Sequence, residues 1–295
     1  DYLANPEKFE RWGVNAETGK ELEEQGLIYV ENEGKERFVI NRDDVKEILR
    51  GPEECNTRIV AKLSTYMLYT DYPKPFTKKY IHHGEQKEVL IKKGKDKGKI
   101  VRGVHRLATL SNRNPWYSFR SEIKPAHLLL IRFIQKRHFD LLSVNPILAD
   151  QTANLVYPKS TSFQDPLNAI LRIWLYCNSS FFILTKEMYG MRMGGGGGAL
   201  QLYTMVFQNL PVIDLNKIEI PDSYDISDIN PIKDIFEELN STSRKRLDSL
   251  IARSIDANFP DEFISELHSA LRDAIEDRLV KSNRPLSMEG QTNID

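Results

Sequence analysis

Apolar positions change period along the chain, and those changes mark the elements. After a short helix at the start, "GLIYVENEGKERFVI" holds two β-rich runs on either side of Glu33-Gly34-Lys35, which predicts a hairpin. "NRDDVKEIL" follows with Asn41 as a candidate N-cap and acids in the first turn. It sets Val45, Ile48 and Leu49 on one face, which predicts a helix ended by Gly51-Pro52.

Residues 56 to 110 read as mostly strands and loops. "TRIVAKLSTYMLYTD" is β-branched or aromatic in places and stops at Tyr72-Pro73-Lys74-Pro75, while "EVLIKKGKDKGKIVRGVHRL" resembles two short strands about a Lys-Gly turn. Between 112 and 160 the short runs "WYSF", "HLLLIRFI", "FDLLSV" and "NLVYPK" suit a strand-rich core with Pro-marked turns. Asp165-Pro166 then opens a helix, "PLNAILRIWLYCNS", apolar on most faces and so expected to be buried. Five consecutive glycines, Gly194 to Gly198, break any regular element, and "ALQLYTMVFQNL" beyond them reads as a helix halted by Pro211. The tail has helical periodicity in two or three pieces, and residues 281–295 are polar and expected to fray.

These elements predict a mixed α+β fold, strand-rich with a C-terminal helical tail. The expected divisions are 1–55, a lead-in of hairpin and helix that packs on the next domain; 56–215, the strand-rich domain; and 216–295, an acidic linker and helical tail. There is no internal repeat.

Composition is that of an ordinary soluble globular chain, 40% hydrophobic and 28% charged over 295 residues. No run approaches the roughly eighteen apolar residues of a membrane span. The chain starts at Asp1 without a signal-peptide pattern, which reads as a piece of a longer protein. Cys55 and Cys177 have no His or Cys partner at metal spacing, so they read as two thiols in a reducing cytoplasm. Net charge is −1, but residues 56 to 138 hold 19 Lys and Arg against 5 Asp and Glu. A basic middle on a neutral chain is either a solvated face or a polyanion-binding one.

The glycines fit neither nucleotide pattern. The dinucleotide fingerprint needs a preceding strand and an acid about 20 residues on, and the Walker loop needs Gly-Lys-Ser/Thr. A flexible linker and a loop giving close backbone approach to a DNA strand, with Arg192 just upstream, both remain open. Asn114-Pro115-Trp116-Tyr117 differs by one residue from the Asn-Pro-Pro-Tyr of DNA adenine methylases. There, an Asn side chain and a backbone carbonyl accept hydrogen bonds from the flipped base, and an aromatic ring stacks on it. Trp116 removes the Pro-Pro geometry, and no glycine-bearing strand–turn–helix for S-adenosylmethionine precedes it, so catalysis here is not expected. The simpler expectation is a buried Trp116–Tyr117 pair with Arg113 and Arg120 reaching outward. No Ser-His-Asp or metal spacing is visible, and the acids of the tail are expected to pair with Lys and Arg along helix faces.

In order and spacing, "YVENEGKERFVINRDDVKEILRGPEE", "YIHHGEQKE", "RNPWYSF" and "LYCNSSFFILTKEMYGMRMGGGGGALQLYTMVFQNLPVIDL" resemble one family. It is the C-terminal specificity region of gamma-class, TaqI-like DNA adenine-N6 methyltransferases, including those of restriction-modification or phage-defence systems. The likeness covers most of residues 27 to 280, with five glycines where two or three are usual. It implies a target-recognition domain that binds double-stranded DNA beside an N-terminal methyltransferase domain of the same parent protein. That domain would hold the S-adenosylmethionine; no cofactor is expected in this fragment.

Carried onto this chain, Arg113, Asn114, Trp116 and Tyr117 would shape the recognition face, with Lys124 and Lys159 nearby. Asn112, Arg113 and Asn114 are the candidates for base contacts, because Arg and Asn read guanine and adenine bidentately. Lys92, Lys93, Lys95, Lys97, Lys99 and Arg102 would touch phosphate. Gly194, Gly195, Gly196, Gly197 and Gly198, with Arg192, would approach the sugar–phosphate backbone. The rival readings are a protein–protein adaptor or specificity subunit without direct DNA contact, and a small enzyme using the glycine loop for a nucleotide.

Overall fold

The computed structural model describes residues 7–91, 95–157, 166–193 and 198–282. Their contacts separate two units, Asp1–Glu47 with Thr65–Lys124, and Ile48–Ser64 with Pro125–Asp295. The fold is mixed α+β with helices at the C-terminus.

The first unit begins with helices α1 (Glu7–Glu10) and α2 (Gly19–Glu24), followed by the expected hairpin of β1 (Leu27–Glu31) and β2 (Arg37–Asn41). The Asn32 side chain closes its turn by accepting from the amides of Gly34 and Glu36, at 2.9 and 3.0 Å. Lys35, rather than Gly34, takes the left-handed conformation, with φ 62°. The period of two sends Leu27 and Val39 toward Phe9 and Leu22 of α1 and α2, and Ile28, Phe38 and Ile40 to a second apolar cluster on the other face.

"NRDDVKEIL" does not form the predicted helix. Residues 42–44 make one 3-10 turn and Val45–Leu49 is strand β3. Val45 to Glu47 pair with β5 (Tyr66–Leu68) in the first unit; Ile48 and Leu49 run parallel to Leu148 and Ala149 in the second. Asn41 caps a different helix, since its Oδ1 accepts from the amides of Phe76 and Thr77. That helix, α3 (Pro75–Gln86), lies where strands and loops were expected. Pro75 sits in its first turn, where a missing N–H costs nothing. Strands β6 (Glu88–Leu90) and β7 (Ile100–Arg102) form the second expected hairpin. "WYSF" is turn rather than strand.

In the second unit, β8 (Ala126–Ile131) lies between β10 (Asp140–Ala149) and β11 (Ala153–Val156), and β4 (Ile59–Val60) runs parallel to β10. Alternate residues of β8 enter two cores. Leu129 and Ile131 join Leu141 and Ala153, whereas Leu128 and Leu130 meet Ile170, Trp174 and Leu175 of α4 (Pro166–Cys177). Most of α4 is buried, as its composition predicted. Strand β9 (Phe133–Ile134), helix α5 (Ser180–Tyr189), and strands β12 (Met191–Arg192) and β13 (Leu200–Gln201) follow. "ALQLYTMVFQNL" divides into β13 and a shorter helix, α6 (Thr204–Asn209). The tail supplies α7 (Ile235–Glu238), α8 (Thr242–Ile255) and α9 (Glu262–Ser282). Among the described residues no single helix is long and apolar enough to cross a membrane; α4 and α5 reach that composition only as a pair bent by 64°.

Candidate nucleic-acid interface

Helix α3 carries the basic hairpin of the first unit. The His83 carbonyl accepts from the Lys87 amide at 3.1 Å, and the Lys87 carbonyl accepts from the Gly103 amide at 2.7 Å, so both ends of β6–β7 hang from the helix terminus. Gly103 has φ +99°, and a Cβ there would lie 2.4 Å from the His105 ring and 2.8 Å from the Glu85 carbonyl oxygen. No larger residue fits at this joint. Cross-strand pairs Glu88–Arg102 and Leu90–Ile100 place those four side chains on one exposed face. Lys95, Lys97 and Lys99 are exposed beyond it. Lys99 pairs with Asp96 at 2.7 Å, whereas Lys95, Lys97 and Arg102 have no ion pair among the described residues. Lys92 and Lys93 lie outside the described residues. Lys87 is committed internally: it contacts Glu36, whose carboxyl is held down to about 2 by that contact, by Asn32 and by His83.

The Asn-Pro-Trp-Tyr segment packs on the same helix. Trp116 is half-buried and donates from Nε1 to Glu85 at 3.1 Å; its ring lies 3.5 Å from the position of a Cβ on Gly84. Tyr117 stands edge-on to it at 5.8 Å and donates to the Asp71 carbonyl, while Ser118 donates to the Asp71 carboxylate at 2.7 Å. The Asn114–Pro115 peptide is cis. Arg113 does not reach outward: it makes a two-pronged pair with Glu122, at 2.7 and 3.0 Å, and lies 3.9 Å above the Phe119 ring. Asn112, Asn114, Arg120 and Lys124 are exposed. The exposed polar edge of the segment thus includes its asparagines and Arg120, while Arg113 is held by Glu122 and Phe119.

In the second unit the glycine run joins β12 to β13, which pairs in turn with β9. Gly194 to Gly197 and Lys159 lie outside the described residues. Gly198 has φ 59°, and its carbonyl accepts from the Arg278 guanidinium. Register puts Arg192, Leu200 and Ile134 on one face, and the last two are fully buried. Arg192 meets Asp277 of α9 at 3.3 Å from that side. The opposite face carries Met191, Gln201 and Phe133, with Met191 56% exposed. Arg132 lies 5.9 and 5.7 Å from the Phe133 and Tyr203 rings. Sequence reasoning named Arg192 but missed Met191, Gln201, Phe133, Arg132 and Tyr203; the alternation within "GMRM" and "LQLY" is the signal that could have found the first two.

What holds this unit is a set of charges without local signature. Arg58, buried, donates to both Glu238 oxygens at 2.6 and 2.7 Å, to Asn178, and to the carbonyls of Ile229, Pro231 and His138. Arg244 also binds Glu238 and the Asn178 carbonyl. Lys186 pairs with Asp140 at 2.5 Å, and Arg278 with Glu187 at 2.8 and 2.9 Å. Glu238, Asp248 and Glu187 are therefore interior partners from separate elements, not the surface i,i+4 pairs expected of the helices; Asp277–Lys281 is such a pair. Burial, then Arg278, Lys186 and Arg244, hold the His138 imidazole well below its usual value, so it is neutral. Ser180, Asp248 and His268 meet, but Ser180 is fully buried and contacts Asp248 through its backbone amide, so no nucleophile results. Among the described residues no three His, Cys, Asp or Glu side chains gather as metal ligands.

No protein-family model matches the chain, and no curated protein matches it at a significant level. Its architecture does have a counterpart among solved structures. That counterpart is the crystal structure of the type IIG restriction endonuclease BpuSI, with a TM-score of 0.57 and 16% identity over 83% of this chain. The chain spans 27% of that enzyme's length.

Proposed function

We propose that this chain is the DNA target-recognition part of a site-specific adenine-N6 DNA methyltransferase. It binds duplex DNA and positions it for a catalytic domain that lies elsewhere in the parent protein and holds the S-adenosylmethionine. The observation that carries this reading is the exposed β6–β7 hairpin, with Lys95, Lys97 and Arg102 free of ion pairs among the described residues and the Asn112–Asn114 edge mounted on the same helix. A cation with no protein partner is available to a phosphate, and exposed asparagines offer the amide pattern that reads adenine. The likeness to a restriction endonuclease supports a restriction-modification setting.

Duplex binding followed against salt tests the reading. We expect a linear log–log decline, less steep by about 0.9 for each phosphate contact removed, in the K95E/K97E/R102E variant. Absence of binding at about 50 mM salt, or binding indifferent to salt, overturns it. A protein-docking role is favoured by one observation, the exposed Met188, Tyr189, Met191 and Met205. It predicts that the hairpin variant leaves partner capture intact and that DNA does not bind.

A further inference from the structure

A second basic surface lies in the other unit, on residues to which no role has been assigned. Between one face of α8, residues 217–224 and the start of α9 runs a groove of about 990 Å³. Its walls carry Lys217, Lys245, Arg246 and Arg253 against Glu219 and Asp261, a positive excess on a chain whose net charge is −1. Only Arg246 among the four has an ion pair, with Asp228 at 2.7 Å; Lys217, Lys245 and Arg253 have none among the described residues. With Asp228 engaging Arg246, the other three cations face two acids, so the cleft keeps a small positive excess that attracts an anion.

The spacing identifies the anion. Lys245, Ser249 and Arg253 recur every four residues along α8 and so share one face. With a rise of about 1.5 Å per residue, that row is about 12 Å long. Phosphates of one DNA strand advance about 3.4 Å each along the duplex axis but lie farther apart along the strand itself, so the row meets about two or three of them. Hydroxyls of Thr242, Ser249 and Ser265 line the same groove. A compact single anion would leave most of such a row unused.

We infer that this groove tracks the sugar–phosphate backbone of duplex DNA, as a phosphate-contact site separate in sequence from the β6–β7 hairpin. The inference rests on the DNA-binding reading and assigns it a second, sequence-independent contact surface, which would set affinity rather than base choice.

The test is lysine-selective acetylation of the full chain, read by mass spectrometry with and without duplex DNA, alongside salt titration of K245E/R253E. We expect Lys217 and Lys245 to be protected by DNA, and the salt slope to fall by about 1.8 in the double variant. Protection of Lys95 and Lys97 with Lys217 and Lys245 unchanged overturns the groove and leaves the DNA-binding reading standing. Protection of none, with no binding, overturns both. Poly-glutamate that protects the groove lysines as fully as DNA does would assign the groove to an acidic protein and overturn the inference.

Discussion

Replacing Arg58 with Met keeps the aliphatic stem and removes a buried guanidinium that makes six hydrogen bonds. Glu238 retains Arg244 and the Lys233 amide, so its charge stays partnered. The carbonyls of Ile229, Pro231 and His138 lose this donor inside the protein. Each buried acceptor left unsatisfied costs about 1–3 kcal/mol, so losing the donor to three of them removes a large share of the 5–15 kcal/mol that holds a typical domain. Urea denaturation followed by far-ultraviolet circular dichroism measures it, and we expect a fall of about 3–5 kcal/mol at neutral pH. Burial raises the Glu238 carboxyl, but Arg244 and Arg58 lower it more, leaving it below its usual 4.5. A depressed carboxyl stabilises fully above 4.5 and loses that contribution as pH falls through its folded value. With one cation gone that value moves back up, so the gap between wild type and R58M should narrow below pH 4.5. A loss under about 1 kcal/mol, or a gap independent of acid, refutes the idea that this pair organises the second unit.

Two other outcomes follow from local geometry. Burial pushes the Cys55 thiol up to about 11 and Cys177 well above its usual value, so both should ignore a disulfide reagent at neutral pH until the protein is denatured; rapid native labelling of either contradicts the packing. Gly103→Ala forces a Cβ into His105 and the Glu85 carbonyl at a left-handed φ, at a cost of about 1–3 kcal/mol, with altered emission from Trp116, which lies 6.1 Å from His105; an unchanged melting temperature and spectrum would show that the joint can yield.

How much of this was legible depended on where the determining partner sits. Both hairpins were, because Asn32 and its neighbours close one turn locally and the Lys-Gly run marks the other. The short apolar run "HLLLIRFI" was enough for β8, whose two faces each meet a core. Helix α3 was not, because its capping side chain, Asn41, comes from the preceding hairpin. The same Asn41 looked like the cap of a local helix, and Val45, Ile48 and Leu49 suit either period in so short a run; pairing with β5 and β10 decided for strand. Arg113 looked like a base reader by its type and neighbours, and only the fold shows Glu122 and Phe119 holding it. The buried charges left no trace, since Arg58 and Glu238 are 180 residues apart.

The two units each take two stretches of chain, with 48–64 set inside one and 65–124 inside the other. The polypeptide therefore passes between them three times, at 47–48, 64–65 and 124–125. A protease that nicks one crossing leaves two covalent links, and neither unit is released by a single cut. The same arithmetic constrains inheritance. Exchanging the first unit for another by recombination requires two separate gene segments to travel together, with the codons for 48–64 left in place. Segment 65–124, which carries the basic hairpin and the Asn-Pro-Trp-Tyr turn, is bound to 1–47 by the pairing of β5 with β3 and by Asn41 at the start of α3, so the two stretches must change in concert.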